Sequence, residues 1–333
     1  AIAEENLPRP MHLTVFTTGA AQVRAEALAY PEKACILGPV RVIPRELPGM
    51  TVSSLDLVLP VAPRRGVASF DGLLPQVIEE LLADPVNTLA ALRGEKRYEQ
   101  GLKPVALPEA GFDLPRAAHV LITGGFGGIG LTIAEELISQ HGAKITLIAR
   151  RELPERSGWA SYLAAHEPSD PIARRILALQ RLEALGGEVL VAVADVCNLQ
   201  DMQAAVEAGS RRFGRVRAVI HAAGIVNDGP LMMKAASQVE EVFAPKLHGT
   251  LVLDRLFPDG AVDLLVLFSS TSTVTGPAGQ IDYVAANEFL NAYAKSRQGG
   301  KTRVMALNWG IWSGVGMAAE ALAERTGDRP AAP

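Results

Sequence analysis

The stretch His119-Val-Leu-Ile-Thr123-Gly124-Gly125-Phe126-Gly127-Gly128-Ile129-Gly130 decides how the rest of the chain is read. Its first five residues form a short apolar run of strand length. Gly125, Gly127 and Gly130 then follow in the spacing G-x-G-x-x-G, and an amphipathic stretch runs on to Gln140. Between a strand and a helix, such glycines permit a tight turn and let the backbone come close to a pyrophosphate. The start of the helix adds free N–H groups and the positive end of its dipole. A dinucleotide-binding loop is therefore expected over Thr123–Gly130.

Five further runs downstream read as strands: Lys144–Ala149, Glu188–Val193, Val216–His221, Val262–Phe268 and Arg303–Asn308. Helix-length segments separate them. Strand and helix alternating in this way give an α/β fold, a Rossmann-like doubly wound parallel sheet whose strands are nearly all apolar because both faces are covered. Upstream, His12–Thr17 and Val58–Val61 look like strands, and Leu73–Leu82 has the apolar spacing of a helix. No phosphate loop occurs there, although this half could be a degenerate copy of the same fold. Pro104, Pro108 and Pro115 punctuate a linker. The expected division is residues 1–115 without cofactor and residues 116–333 with the cofactor site.

The chain has 333 residues and a net charge of −4, which gives no reason to expect nucleic acid. Cys35 and Cys197 are isolated and match no metal spacing, so no metal is expected and the thiols suit a reducing cytoplasm. No signal peptide and no apolar run of membrane-spanning length is found. The first residue is Ala1 and the last are Pro-rich, as in a piece cut from a longer polypeptide or in a processed protein. Arg174, Arg175, Arg211, Arg212, Arg215 and Arg217 could form a basic patch or simply solvated helix faces.

The second strand of the cofactor half ends Ala149-Arg150-Arg151. An acidic residue there would bind the ribose 2′-hydroxyl of NAD, whereas arginine can neutralise the 2′-phosphate of NADP, so NADPH is expected. Asp195, followed by Val196, could accept from the adenine amino group or cap the helix that begins near Leu199. The small residues of His221-Ala222-Ala223-Gly224 let the chain pass close to a flat ligand, with His221 a structural hydrogen-bonding residue.

Reduction of a ketone needs a hydride on one face and a proton for the developing alkoxide. Tyr283, in Gly276-Pro-Ala-Gly-Gln280-Ile-Asp-Tyr283-Val-Ala-Ala-Asn287, can donate that proton. Its ordinary pKa of about 10 is high for exchange near neutrality, and an ammonium favouring the phenolate brings it down. Lys246, in Ala244-Pro-Lys246-Leu-His-Gly249, can supply that charge and hold the nicotinamide ribose. Ser270, at the carboxyl end of a strand, can hydrogen-bond the carbonyl oxygen as charge builds. Asn287 is one helical turn beyond Tyr283 and can orient a water or the lysine ammonium.

A short-chain dehydrogenase usually carries lysine where this chain has Asn287. The exchange of Lys and Asn, with the glycine loop, Ala149-Arg150-Arg151, His221-Ala222-Ala223-Gly224, Lys246-Leu-His-Gly249 and Asn308-Trp-Gly-Ile-Trp312, resembles the ketoreductase domains of polyketide synthases. Leu37-Gly-Pro-Val-Arg-Val-Ile-Pro-Arg-Glu-Leu-Pro48 looks like part of that family's truncated, cofactor-free Rossmann-like structural subdomain. The resemblance implies a β-ketoacyl substrate on the phosphopantetheine of an acyl carrier protein, a β-hydroxyacyl product, and other domains of a parent synthase as partners. In this family a Leu-Asp-Asp motif goes with the D-hydroxy (B-type) product, and the matching residues here are Val226-Asn227-Asp228. The tryptophan that goes with the L product is replaced by Thr275, so the resemblance implies the D product. Gln280, Trp312 and Met317 are assigned to the substrate side by the same likeness, and Ala318–Arg325 resembles the start of a lid. The segment from Glu152 to Arg175 is long for a connection, beside the adenosine end of the cofactor or a surface elaboration. Two other readings remain: a free-standing short-chain dehydrogenase, against which the Lys/Asn exchange argues, and a non-reducing scaffold domain, which would be expected to lose the tyrosine or the loop.

Overall fold

This computed structural model describes residues 10–60, 70–106, 114–312 and 316. In chain order, β1 (Met11–Thr17) leads through a 3-10 turn (Pro31–Ile36) to α1 (Leu37–Glu46), β2 (Met50–Leu57), α2 (Leu74–Leu82), β3 (Thr88–Arg93) and β4 (Lys96–Glu99). Then come β5 (His119–Thr123), α3 (Gly128–His141), β6 (Lys144–Ala149), α4 (Trp159–Ala165), α5 (Pro171–Ala184), β7 (Val189–Val193), α6 (Leu199–Phe213) and β8 (Val216–His221). The last stretch holds α7 (Ala236–Phe243), a π-helical turn (Ala244–His248), α8 (Gly249–Leu256), β9 (Leu264–Ser270), α9 (Ser272–Thr275), α10 (Ile281–Ser296) and β10 (Arg303–Trp309).

Packing groups residues 1–108, 227–240 and 270–296 into one compact unit, and residues 109–226, 241–269 and 297–333 into another. The grouping cuts across the linear division at residues 115 and 116, because α10 packs on the 3-10 turn and on α1.

The second unit carries a six-stranded sheet in the order β10-β9-β8-β5-β6-β7. The pairs β5–β6, β6–β7, β5–β8 and β8–β9 are parallel. This is the doubly wound Rossmann order, with the reversal of strand order between β5 and β8. Its core is apolar from strand and helix alike: Val120, Ile122, Ala134, Ile145, Leu147, Ile176 and Leu182 are all fully shielded. The expected strands fall within two residues of the observed ones.

The first unit holds a smaller sheet, β1-β2-β3 parallel with β4 antiparallel at the edge. The strand expected at Val58–Val61 is not found: β2 ends at Leu57, residues 58–60 are irregular, and Val61 lies outside the described residues. The true strand is hidden by polarity, since Ser53, Ser54 and Asp56 are buried in β2. Asp56 accepts from Thr17 Oγ1 and the Ala20 N–H, both at 2.8 Å, and is paired with Arg93 at 2.8 Å. A buried carboxylate is tolerable when it is satisfied in this way.

Twelve of the sixteen residues of α10 are buried, among them Asp282, Asn287 and Glu288. Val42 of α1 packs with Ile281 and Val284, and Ala292 packs with Leu28 and Ala34. Gly38 makes the close approach possible: a Cβ there would lie 2.3 Å from the Ile281 carbonyl oxygen and 2.6 Å from the Ala285 Cβ. Gly38→Ala must therefore push α10 away, and a loss of about 1–3 kcal/mol is expected. Thermal unfolding checks this, and an unchanged Tm would contradict the packing described.

Candidate active site

In the second unit, the glycine loop joins β5 to α3 as expected. Gly124 has a φ of +65°, and a Cβ there would meet the Ala222 and Ala223 backbone at 2.7–2.8 Å. Gly127 is the N-cap of α3 and, as a glycine, brings no side chain to cap the N–H groups at the start of that helix. The N–H groups of that first turn and the bare backbone form a cradle that fits a pyrophosphate. Thr123 is fully buried, and Ala222 N–H continues the ladder to its carbonyl at 3.1 Å. Phe126 lies under the Arg175 guanidinium, 5.7 Å from the ring centroid, so α5 borders the loop.

Arg150 and Arg151 are exposed just past the end of β6. Asp195 is exposed after β7, and its Oδ1 accepts from the Cys197 N–H at 2.9 Å. It does not cap α6; Asn198 does, accepting from Gln200 and Asp201 N–H. Val196 is buried. Arg215 and Arg217 pair with Asp263, and Arg211 pairs with Glu207, which gives these residues contacts within the chain. Trp312 packs edge-on to Trp309 at 4.9 Å, and Trp309 does the same to Phe268 at 5.5 Å. Met317 and the lid-like segment from Ala318 lie outside the described residues.

Lys246 sits in the π-helical turn between α7 and α8. Pro245 has no N–H to give to the helix ladder there, and such a wide turn commonly marks a functional site. The lysine is 3% exposed, and its Nζ donates to the Phe268 carbonyl at 2.7 Å, near the end of β9. Gly224 lies beside its Cε, which would be 3.0 Å from a Cβ. Burial lowers the pKa of Lys246 to about 7. His221 is fully buried and hydrogen-bonded to Thr123 Oγ1 at 2.7 Å. Burial, with the charge of Lys246, drives the His221 pKa down to about 3, so it stays neutral and structural as expected.

In the first unit, Ser270, Tyr283 and Asn287 come together. Burial raises the Tyr283 pKa, while hydrogen bonds from Ser270 and Asn287 to the phenol oppose the rise. Ser270 Oγ also accepts from the Ser272 N–H at 3.1 Å. Asn287 Nδ2 reaches back one turn to the Tyr283 carbonyl at 2.7 Å. Beside them, Gln280 Nε2 donates to the exposed Asp228 at 3.1 Å.

Three groups here escaped the sequence. Lys234 Nζ donates to the Asn227 carbonyl and pairs with Asp282 at 2.5 Å, next to Tyr283. Glu46 accepts backbone N–H groups from Leu231 and Gly279. These partners lie far apart in sequence, so no local spacing signals them. Among the described residues, no cluster could hold a metal ion, and no helix is long and apolar enough to cross a membrane. Neither Cys35 nor Cys197 is in a disulfide among the described residues, and Cys197 Sγ donates to the Ala244 carbonyl at 3.1 Å.

The model of the KR domain family matches residues 118–314. The chain is 32% identical over 299 residues to 5-methyl-1-naphthoate synthase of Streptomyces sahachiroi, covering 89% of this chain and 16% of that protein. It is 35% identical over 239 residues to 6-methylsalicylic acid synthase of Aspergillus terreus, covering 72% of this chain and 13% of that protein. The chain thus spans only a small part of the length of the curated relatives it matches. The fold is similar to that of the ketoreductase from the first module of phoslactomycin biosynthesis in Streptomyces sp. HK803. The TM-score is 0.76 at 29% identity, over 94% of this chain and 67% of that one.

The buried lysine makes a prediction independent of activity. Its folded pKa of about 7 lies below the value of about 10.4 for a free lysine. The unfolded chain therefore binds more protons between those values, and the stability that this group contributes rises with pH across the window. Lys246→Met removes the group, so any gain in Tm over wild type is expected to be greatest near neutrality and to shrink toward pH of about 10. Melting curves across that range check it, and a difference independent of pH would contradict a buried, depressed lysine.

Proposed function

The chain belongs to the KR family, the ketoreductase domains of polyketide synthases, and from that premise we propose that it reduces a β-ketoacyl thioester on an acyl carrier protein to the β-hydroxyacyl thioester, with NADPH. The observation that carries the reading is the half-buried Tyr283 phenol hydrogen-bonded by both Ser270 and Asn287. A family of this superfamily binds a nicotinamide cofactor, and the bare loop around Gly124 has the form that such a group needs. Residues 1–115 serve as a cofactor-free structural subdomain, and residues 116–333 carry the chemistry.

When bound, the nicotinamide supplies the hydride. The residues of the chain manage position and proton. Gly124–Gly130 and the start of α3 hold the pyrophosphate, Arg150 and Arg151 the 2′-phosphate, and Asp195 with Val196 the adenine. Ala222, Ala223 and Gly224 leave a flat surface for the ring. Ser270 donates to the substrate oxygen as negative charge develops there. Tyr283 gives that oxygen its proton; burial raises the phenol pKa rather than lowering it as expected from the sequence, and the hydrogen bonds from Ser270 and Asn287 work against that rise. Lys246 is the ammonium that favours the phenolate as the proton leaves, and it also holds the ribose. Asn287 fixes the phenol. Asp228, with Asn227 and Gln280, guides the substrate toward the D-hydroxy product, and the family resemblance assigns Trp312 and Met317 to substrate recognition. The parent setting is a multidomain synthase in the cytoplasm.

NADPH consumption with a β-ketoacyl-thioester surrogate tests the reading. Tyr283→Phe is expected to cut turnover by about a hundredfold or more with NADPH binding retained. Wild type that binds NADPH without turning over the thioester would instead favour a scaffold role. Replacing Arg150 and Arg151 by alanine is expected to weaken NADPH about tenfold or more while sparing NADH. Equal loss for both cofactors would overturn the 2′-phosphate assignment.

A further inference from the structure

The segment 227–231 is tied to the residues around Tyr283 by more than packing. The Gly229 N–H donates to the Gly279 carbonyl at 3.0 Å. The two oxygens of Glu46, the last residue of α1, take one donor from each side: Oε2 accepts the Leu231 N–H at 2.5 Å and Oε1 the Gly279 N–H at 2.8 Å. The third tie is ionic. Lys234 and Asp282 pair at 2.5 Å with side chains only 4% and 1% exposed. Lys234 Nζ also donates to the Asn227 carbonyl, and Asp282 Oδ1 accepts the Tyr283 N–H at 2.8 Å. A path of polar contacts therefore runs from the Asn227 backbone, through one lysine and one carboxylate, to the backbone of Tyr283.

Burying two full charges is a poor way to gain stability, since well-packed apolar residues serve as well or better. What such a pair supplies is geometry: both partners must stay where the other can reach them. Three independent ties converge on one short segment, and that segment carries Asn227 and Asp228.

We propose that the Lys234–Asp282 pair and Glu46 are positioning residues that fix segment 227–231 relative to Tyr283 and thereby set which face of the substrate carbonyl is reduced. The proposal rests on the ketoreductase reading above. Neither lysine nor carboxylate touches the reacting atoms; each acts through the backbone of Asn227, Leu231, Gly279 or Tyr283.

The test compares Lys234→Met, the double variant Lys234→Met/Asp282→Asn, and Glu46→Gln. Lys234→Met strands the Asp282 charge and is expected to lower Tm; the double variant removes that charge and is expected to recover most of the loss. Both lack the tie to Asn227. Both are therefore expected to raise the minor enantiomer of the alcohol about tenfold, a change of about 1.4 kcal/mol in discrimination, with NADPH affinity unchanged. Glu46→Gln keeps the shape but sets an amide N–H against a backbone donor. It is expected to speed amide exchange at Leu231 and Gly279 and to erode the enantiomer ratio in the same direction. A double variant with recovered Tm and the wild-type enantiomer ratio would overturn the proposal, as would unchanged exchange and ratio in Glu46→Gln. If wild type fails to reduce the thioester, the ketoreductase reading falls, and faster exchange in Glu46→Gln still decides whether the clamp exists.

Discussion

The placement of Tyr283 and Asn287 depends on the burial of α10. A helix shielded nearly all round is ordinarily apolar, yet this one encloses Asp282, Asn287 and Glu288 along with its alanines, Phe289 and Leu290. Each must be matched or the helix would not stay where it is. Lys234 matches Asp282, the Tyr283 carbonyl takes the Asn287 amide, and Arg41 pairs with Glu288 at 3.1 Å. Burial raises the Glu288 pKa and the Arg41 charge works against that rise. The close approach at Gly38 then brings α1 onto the helix. The part of the chain without a glycine loop thus contributes by holding the helix that bears the tyrosine.

The same economy governs the other unit. Lys246 and His221 are two basic groups in a dry setting, and they avoid a double charge because burial and their mutual repulsion leave the imidazole neutral. The lysine keeps a pKa near 7 and finds the Phe268 carbonyl as acceptor. A group poised between its charged and neutral forms at working pH suits a role in proton handling. The break in the helix ladder at Pro245 is the local cause of its placement.

The sequence exposed these features unevenly, for physical reasons. The strands of the larger sheet were legible because a parallel sheet covered on both faces demands apolar runs. The glycine loop was legible because its chemistry needs those residues at that spacing. Tyr283 and Asn287 share a helix face one turn apart, and local periodicity finds such pairs. In β2, by contrast, the buried Ser53, Ser54 and Asp56 broke the apolar pattern, and their partners lie in other strands. In α1, Pro44 stands inside the helix and argues against helix at sequence level. Lys234 and Asp282 are 48 residues apart in sequence, and Glu46 reaches groups 185 and 233 residues away. Such ties exist only once the chain is folded. Asp195 shows the opposite case, a residue with two sequence-level roles of which the structure removes one: Asn198 takes the cap.

The claim that this chain reduces a ketone with hydride from its cofactor can be tested in one step. The protein is given a β-ketoacyl thioester and NADPH deuterated at C4 of the nicotinamide, on each face in turn, and the product is analysed by mass spectrometry and NMR. The account predicts one deuterium at the carbinol carbon from one face of the cofactor and none from the other. Recovery of unlabelled alcohol from both, or no alcohol at all from a preparation shown to bind NADPH, would contradict it.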